Sequence, residues 1–152
     1  MKGDKFLKDF KVLENEDEEF AKDVKYNLHL YNMENCSYIK DNSSMYHINK
    51  VKRNFAVYDG DKVIGGAVGY CSLAWYYLDD LWLDASYRHQ GVGTRLIKEI
   101  EKFAKIQNCL GIRTETWRFQ ARDFYEKLGF HVYASFDDFP PGSTEYYLVK
   151  RF

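Results

Sequence analysis

The sequence predicts a mixed α/β fold, because strand patterns fill the middle of the chain and strands alternate with helices towards its end. Residues 54–58, 62–70 and 74–83 carry the β-branched and aromatic side chains typical of strands. The Asp59-Gly60 pair between the first two segments is a hairpin turn signal. These segments predict an antiparallel meander. With the later alternation of elements they predict a central mixed sheet flanked by helices.

Two amphipathic helices in the second half of the chain support this architecture. Residues 94–107 and 119–128 each place apolar side chains on one stripe, and Gly129 is the expected C-terminal cap of the second helix. The inward residues are Leu96, Ile97, Ile100, Phe103 and Ala104 in the first helix, and Ala121, Phe124, Tyr125 and Leu128 in the second. The strands expected around these helices span residues 110–116, 130–135 and 145–149, with a loop at 137–142.

The N-terminal part of the chain is less regular. Residues 11–14 are a candidate first strand, and Asn15 is a candidate cap for a helix that opens on acidic residues. Phe20, Val24 and Leu28 recur four residues apart on one face of that helix. Residues 32–50 are polar and aperiodic, which predicts a loop or a broken helix.

Composition excludes several classes of protein. The 152 residues suit a single domain spanning 1–152, and 45% apolar with 30% charged residues is typical of a globular chain. The formal net charge of −1 offers no global field for nucleic acid or an anionic membrane. Three cysteines without metal-ligand spacing suggest neither a disulfide framework nor a zinc site. Residues 1–10 lack the apolar run of a signal peptide, so we expect a cytoplasmic protein.

A glycine-containing turn at residues 85–93, between a strand and a helix, is a candidate anion site. Such a turn presents free backbone N–H groups and the positive end of the helix dipole. Gly91 and Gly93 would let a phosphate approach the backbone, Thr94 would add a hydroxyl and Arg88 a charge. On these residues alone, a tight strand-to-helix connection explains the glycines equally well. The turn lacks the third glycine of a dinucleotide fingerprint and the Gly-Lys-Ser/Thr ending of a triphosphate loop.

Two segments of the chain carry a more specific pattern. The first is Leu81-Trp82-Leu83-Asp84-Ala85-Ser86-Tyr87-Arg88-His89-Gln90-Gly91-Val92-Gly93, and the second is Ala121-Arg122-Asp123-Phe124-Tyr125-Glu126-Lys127-Leu128-Gly129-Phe130. In this order they resemble the pyrophosphate motif and the helix-and-strand signature of the GNAT superfamily of acyl-CoA N-acyltransferases. The resemblance implies an acetyltransferase that uses acetyl-CoA as co-substrate and needs no metal.

The resemblance also implies where the donor binds. The sheet would split between its fourth and fifth strands, residues 74–83 and 110–116, and the pantetheine arm would lie in the cleft with a backbone N–H as oxyanion donor. Many members carry Asn where this chain has Arg118, so Gln120 is the expected substitute. The residues expected to bind the donor are Leu81, Trp82, Leu83, Arg88, His89, Gln90, Gly91, Val92, Gly93, Thr94, Gln120 and Tyr125.

Acidic residues flank the expected cleft. An alkylamine with a pKa near 10 is only about one part in a thousand neutral at pH 7, so a base should accept its proton. Polyamine-type members of the family have an acidic pair where this chain has Asp79 and Asp80, which makes Asp79 a candidate base and Asp80 a substrate contact. Both reach the cleft only if the strand bulges. Glu115 is the rival base, unless it forms a salt bridge with Arg113 or Arg118 instead. Trp117 would shape the acceptor pocket.

The remaining catalytic candidate is Tyr125, which matches the family's tyrosine near the sulfur of CoA and by that resemblance would act as general acid. Tyr125 also lies on the apolar stripe of its helix, so core packing is the alternative. No cysteine falls in either motif, so direct transfer in a ternary complex is preferred. The sequence thus predicts acetylation of a primary amine, in a small cationic metabolite. Acetylation of proteins or peptides and a non-catalytic acetyl-CoA-binding module are the alternatives. The expected partners exclude nucleic acid and membrane, and a homodimer is left open.

Overall fold

The computed structural model describes residues 11–152, in two compact units that meet in the sequence at Ile48. Residues 1–10, on which the signal-peptide prediction depends, lie outside the described residues. The prediction that residues 1–152 form one domain stays a prediction. In the part of the chain that is described, no helix is long and apolar enough to cross a membrane.

The unit before Ile48 is helical. Helix α1 (Glu18–Asn35) begins after Asp17, whose side chain accepts the Glu19 N–H at 3.0 Å. The predicted cap Asn15 is wrong by two residues, because Asn15 instead accepts the Asp17 N–H at 2.9 Å and shapes the approach to the helix. The strand predicted at residues 11–14 is also wrong. Those residues are exposed and, within the described chain, no strand pairs with them.

The predicted break in this helical region is confirmed. Cys36, with φ −143° and ψ 107°, interrupts the helix before the short α2 (Ser37–Asp41). The His29 side chain is buried, and its Nε2 lies 2.9 Å from the Ser44 carbonyl oxygen, which fastens the following segment. The stripe predicted from Phe20 onwards runs along α1 but is exposed.

The unit Ile48–Phe152 is built on a seven-stranded mixed sheet, which confirms the predicted fold class. The strand order is β1-β3-β4-β5-β7-β6, and β2 pairs with β3 beside β1. All neighbours are antiparallel except β4 and β5. The strands are β1 (Val51–Lys52), β2 (Phe55–Asp59), β3 (Lys62–Ser72), β4 (Trp75–Leu83), β5 (Gly111–Trp117), β6 (His131–Asp137) and β7 (Thr144–Arg151).

Two helices cover one face of this sheet. Helix α3 (Val92–Ile106) buries its predicted stripe, with Leu96, Ile97 and Ile100 at most 5% exposed. Helix α4 (Arg122–Lys127) is shorter than predicted. Residues 119–121 turn instead, because the Gln120 side-chain oxygen accepts the N–H of Trp117 at 2.9 Å and so ties this segment to the end of β5.

The parallel pair β4 and β5 opens within three residues. Their register pairs are Tyr76 with Ile112, Tyr77 with Arg113 and Leu78 with Thr114. Beyond Leu78 and Thr114 no pair joins the two strands within residues 48–152, although each stays paired with its outer neighbour. The split expected from the family resemblance is therefore present, and it places a cleft in the middle of the sheet.

Candidate active site

The split leaves two strand edges that face each other without pairing. Among the described strands, residues 80–83 of β4 pair only with β3, and residues 115–117 of β5 pair only with β7. Backbone N–H and C=O groups on such edges can bind an extended, amide-containing arm as if it were another strand. Leu81 and Leu83 are partly buried on the helix-covered face, whereas Trp82 is 56% exposed. The edge thus has an unpaired main chain, and the pantetheine contact predicted for residues 81–83 stays a prediction.

The candidate anion site lies just beyond β4. A short 3-10 turn (Ala85–Tyr87) is followed by Gly91, which has φ +81° and is the N-cap of α3. None of the described side chains caps this end of the 15-residue helix, so its first N–H groups are available to a phosphate. A Cβ built on Gly91 would have none of the described residues within 4 Å apart from its chain neighbours. Both the positive φ and the open space in front of the backbone suit the predicted role of Gly91.

Gly93 also has a packing role, and its predicted contact with a phosphate stays a prediction. Helix α3 begins at Val92, one to two residues earlier than expected, so Gly93 lies inside its first turn and is buried. A Cβ on Gly93 would stand 3.0 Å from the ring of Phe124 and 3.3 Å from Leu83 Cδ1. This glycine therefore lets α3 pack against β4 and α4, and Thr94 is only partly buried beside it.

The other loop residues are exposed and held by local hydrogen bonds. Arg88 Nε donates to the Leu83 carbonyl at 3.0 Å, and Gln90 Nε2 donates to the Ser86 carbonyl at 2.7 Å. His89 adopts φ +60°, an uncommon conformation for a residue other than glycine. These bonds hold the loop, and the other guanidinium N–H groups of Arg88 have no hydrogen-bond partner among the described residues, so they are available to an anion.

On the opposite face of the sheet, the apex of the split opens into a cavity of about 220 Å³. Asp79 and Glu115 both line it. Burial raises the pKa of Asp79, as does the charge of Asp80, while Lys50 lowers it. The pKa of Glu115 is raised by burial and by Glu145, with Arg113 acting in the opposite direction. Two carboxyls that hold protons more tightly than usual are thus brought together from two strands. We call this cavity the acceptor cleft.

A β-bulge lies at the adjacent acids Asp79 and Asp80. In the β3–β4 ladder Gly69 pairs with Leu78 and Val68 with Asp80, which leaves Asp79 as the extra residue. Asp79 lines the acceptor cleft, and Asp80 lines a second concavity beside Trp82. The predicted bulge is present, and the substrate contact predicted for Asp80 stays a prediction.

The salt bridge weighed for Glu115 does not form within Ile48–Phe152. Arg118 donates to the Gly142 carbonyl at 2.8 Å, and no carboxylate of this unit lies within 4.0 Å of Arg113. The guanidinium of Arg113 instead lies over the rings of Tyr77 and Tyr133, 5.1 and 5.9 Å from their centroids. Arg113, Tyr77 and Tyr133 all line the acceptor cleft. Sequence reasoning missed this group, whose only sequence signal is the alternation of Arg113 with Glu115 on one strand face.

Tyr125 approaches the split from the helix-covered face. Its side chain is 4% exposed and packs at ring-centroid distances of 5.2 Å from Phe124 and 5.4 Å from Phe130. Burial raises the pKa of the Tyr125 hydroxyl, and a hydrogen bond with Thr114 lowers it by a smaller amount. Thr114 is the last β5 residue paired with β4, and its Oγ1 donates to the Leu78 carbonyl at 3.0 Å. The tyrosine is thus a core residue whose hydroxyl points to the apex of the split.

Trp117 and Gln120 lie where β5 ends. Gln120 Oε1 accepts from the Thr116 hydroxyl at 3.2 Å, in addition to its bond from the Trp117 backbone, so this side chain is engaged in the loop. The buried Trp117 Nε1 has no hydrogen-bond partner among the described residues. The structure therefore leaves the pantetheine contact predicted for Gln120 and the acceptor contact predicted for Trp117 as predictions.

Comparison with known proteins matches this geometry. The Acetyltransferase (GNAT) family profile covers residues 11–130, which is most of the chain. This chain belongs to the GNAT acetyltransferase family. The blasticidin-S acetyltransferase of Streptomyces morookaense is 40% identical over 103 residues, which cover 67% of this chain and 76% of the relative.

Solved GNAT structures share the fold. An acetyltransferase from Bacillus cereus ATCC 14579 has a TM-score of 0.80 and 29% identity, covering 93% of this chain and 98% of that one. An acetyltransferase from Bacillus anthracis str. Ames, solved in complex with acetyl coenzyme A, has a TM-score of 0.63 and 27% identity, covering 67% and 64%. The GNAT chain described here is therefore an acetyl-CoA-dependent N-acetyltransferase, with acetyl-CoA as the donor.

Proposed function

We propose that this GNAT acetyltransferase acetylates a primary amine of a small, positively charged molecule that binds in the acceptor cleft. The observation that carries the proposal is the pair of carboxyls, Asp79 and Glu115, which line a cavity of about 220 Å³ at the apex of the split. Two acids attract a protonated amine, and a cavity of this size favours a small molecule over a folded protein surface. The blasticidin-S relative is likewise named for a small-molecule acceptor.

The residues on the two faces of the split have different roles in this proposal. Glu115, with Asp79 as the alternative, takes the proton that the amine loses when it attacks, because a raised pKa suits a carboxylate to that transfer near neutral pH. Acetyl-CoA, when bound, supplies an acetyl group activated as a thioester. Tyr125, on the other face, gives its hydroxyl proton to the departing sulfur. A free backbone N–H on residues 79–83 would polarise the thioester carbonyl.

Direct transfer, without an acetylated enzyme, is supported by the state of the cysteines. Cys71 and Cys109 are buried in the core with their sulfurs 3.4 Å apart. Burial raises the pKa of the Cys71 thiol to about 12, which suppresses the reactive thiolate. Neither thiol lines the acceptor cleft.

A screen of acceptors tests the proposal. Small amines, aminoglycosides and unstructured peptides are incubated with the enzyme and acetyl-CoA, and CoA release is recorded. We expect turnover with small cationic amines to exceed that with peptides by at least about tenfold, and Glu115→Gln to reduce it strongly. A preference for peptides would favour the alternative of protein N-acetylation, and no release with any acceptor would refute the proposal.

A further inference from the structure

We infer that Arg113 binds a carboxylate of the acceptor, so that the molecule acetylated carries both an amine and a carboxylate. This inference rests on the proposed function and names the class of substrate. Its starting point is that Arg113 lines the same cleft as Asp79 and Glu115 yet forms an ion pair with neither. The cleft thus contains a cation that makes no direct salt bridge within its own unit, although its charge acts on Glu115 from a distance.

The guanidinium is held in place by neutral groups. Arg113 Nη2 donates to the Tyr133 hydroxyl at 3.0 Å, and Nη1 lies 3.5 Å from the Tyr77 hydroxyl, which is longer than a usual hydrogen bond. Tyr77 in turn stacks on Tyr70, with ring centroids 5.1 Å apart and planes 6° from parallel. The two phenols orient the arginine without neutralising its charge. A preorganised arginine of this kind suits the planar, two-pronged recognition of a carboxylate.

The alternative reading is that Arg113 only ties Tyr77 to Tyr133. Burial acts to lower the pKa of Arg113, but its bond with Tyr133 and the nearby phenols leave that pKa raised, so the side chain keeps its charge. A tie between two phenols needs hydrogen-bond donors but no charge. A full charge, partly buried and unpaired within Ile48–Phe152, is more readily explained by an anion that arrives with the acceptor.

The spacing of Arg113 and Glu115 further limits the kind of acceptor that can bind. Arg113 and Glu115 are two residues apart on one face of β5, so their Cα atoms are about 7 Å apart. An acceptor that reaches both has its reacting amine several bonds from its carboxylate. This describes an ω-amino acid, or the side-chain amine of a basic amino acid, and not an α-amine next to its own carboxylate.

Matched pairs of amines with and without a carboxylate test this inference. The pairs are L-lysine with cadaverine and 6-aminohexanoate with pentylamine, since the members of each pair differ only in the carboxylate. Dissociation constants are measured by calorimetry on enzyme saturated with CoA, so that the measurement does not require turnover. In the wild type we expect the carboxylate member to bind about ten to a hundred times more tightly, the usual effect of hydrogen bonds to charged groups.

Variants of arginine separate recognition from structure. Arg113→Gln should bring the two members of each pair within about threefold of each other, and Arg113→Lys should retain part of the preference. Arg151→Gln is the matched control, because Arg151 also lies over an aromatic ring, 4.9 Å from the Trp75 centroid, but does not line the cleft. It should keep the full preference. An unchanged affinity for CoA and a cooperative melting transition show that each variant is folded.

Three outcomes contradict the inference: equal binding within each wild-type pair, a preference that survives Arg113→Gln, or no binding of any of the four compounds. CoA release with the same compounds is recorded in parallel. If only the diamine and monoamine are acetylated, the proposed function stands and the role of Arg113 falls. If the carboxylate members bind through Arg113 but no amine tried is acetylated, the role of Arg113 stands and the proposed function falls.

Discussion

The two faces of the β4–β5 split are built in different ways. On the helix-covered face, donor binding is assigned mainly to backbone: the open edge of residues 79–83, the free N–H groups at the start of α3, and Gly91 with its positive φ. On the opposite face, acceptor binding is assigned to side chains that come from three separate strands, such as Asp79, Glu115 and Tyr133. A single stretch of sequence makes most of the first face, whereas the second exists only after folding.

This difference has a functional consequence. A backbone site changes little when surface side chains change, so it suits a donor that stays the same. A side-chain site can be altered one residue at a time, so it suits an acceptor that differs between relatives. If the comparison holds, substitutions on the first face should alter donor affinity or the chemical step, and substitutions on the second should alter acceptor choice and pH dependence.

The largest effect is expected at Tyr125, where a substitution tests whether the hydroxyl acts in the reaction or the residue only packs in the core. Tyr125→Phe should lower kcat by about a hundredfold to ten-thousandfold with little change in acetyl-CoA affinity, because we propose that the hydroxyl acts only as the sulfur departs. Steady-state kinetics measures this. Tyr76→Phe is the control, since Tyr76 is fully buried and its hydroxyl donates to the Arg53 carbonyl at 2.9 Å. The control should lower the melting temperature and leave kcat nearly unchanged. If Tyr125→Phe lowers kcat by less than about threefold, Tyr125 contributes to packing and not to the reaction.

The second prediction concerns the base in the acceptor cleft. Glu115→Gln should reduce kcat/KM at pH 7 by about a hundredfold, and Asp79→Asn by less. The pKa of Glu115 is raised, so the wild-type rate should increase as the pH rises through a value above the ordinary range of a carboxyl group. Without the base, the rate should follow the ionisation of the amine itself and increase towards about pH 10. If the profile moves with Asp79→Asn and not with Glu115→Gln, the two acids exchange roles, and if it moves with neither, water accepts the proton.

A smaller effect, on the binding of acetyl-CoA, is expected at Gly91 in the candidate anion site. Gly91→Ala should raise the KM for acetyl-CoA about tenfold, because an alanine at φ +81° costs about 1–2 kcal/mol and the loop would relax away from its binding conformation. Gly142→Ala is closely matched, with φ +80° and equally open space around its Cβ. Both variants should lose similar stability, measured by thermal denaturation, but only the first should affect the donor. Equal KM values would reduce Gly91 to a connector.

The smallest effect concerns stability. Because folding raises the pKa of Asp79 and Glu115, their ionised forms are disfavoured in the native state. This penalty is present above the raised pKa values and disappears below the ordinary pKa of the unfolded carboxyls, about 4. Asp79→Asn and Glu115→Gln should therefore melt a few degrees above the wild type at pH 7 and together with it at about pH 3. Asp61→Asn, in the exposed β2–β3 turn, should show no difference at either pH.

How much of the site could be predicted depends on how local each part is. The strand, turn and helix that include Gly91 are contiguous in the chain. The candidate anion site could therefore be predicted from the sequence. The packing role of Gly93 could not be predicted, because its neighbour Phe124 comes from another helix. The predicted start of the second helix, residue 119, was wrong. The Gln120 side chain accepts hydrogen bonds from the end of β5, and the helical turn predicted there does not form.

The side chains that line the acceptor cleft were much harder to predict from the sequence. Asp79 and Asp80 are adjacent in the chain, so a regular strand would turn their side chains to opposite faces, and only the bulge against Val68 and Gly69 changes that alternation. Nothing near Arg113 in the sequence indicates that its neighbours are two tyrosines rather than an acid. Its surroundings come from β4 and β6, which lie more than fifteen residues away in either direction.

The sequence by itself determined the fold class, the family and the donor, because periodicity, turn residues and two motifs act over short distances along the chain. Only the tertiary structure decided where β4 and β5 part, which acid faces the apex and what surrounds Arg113. These features depend on strand register, and a shift of one residue in register turns every side chain to the other face of the sheet.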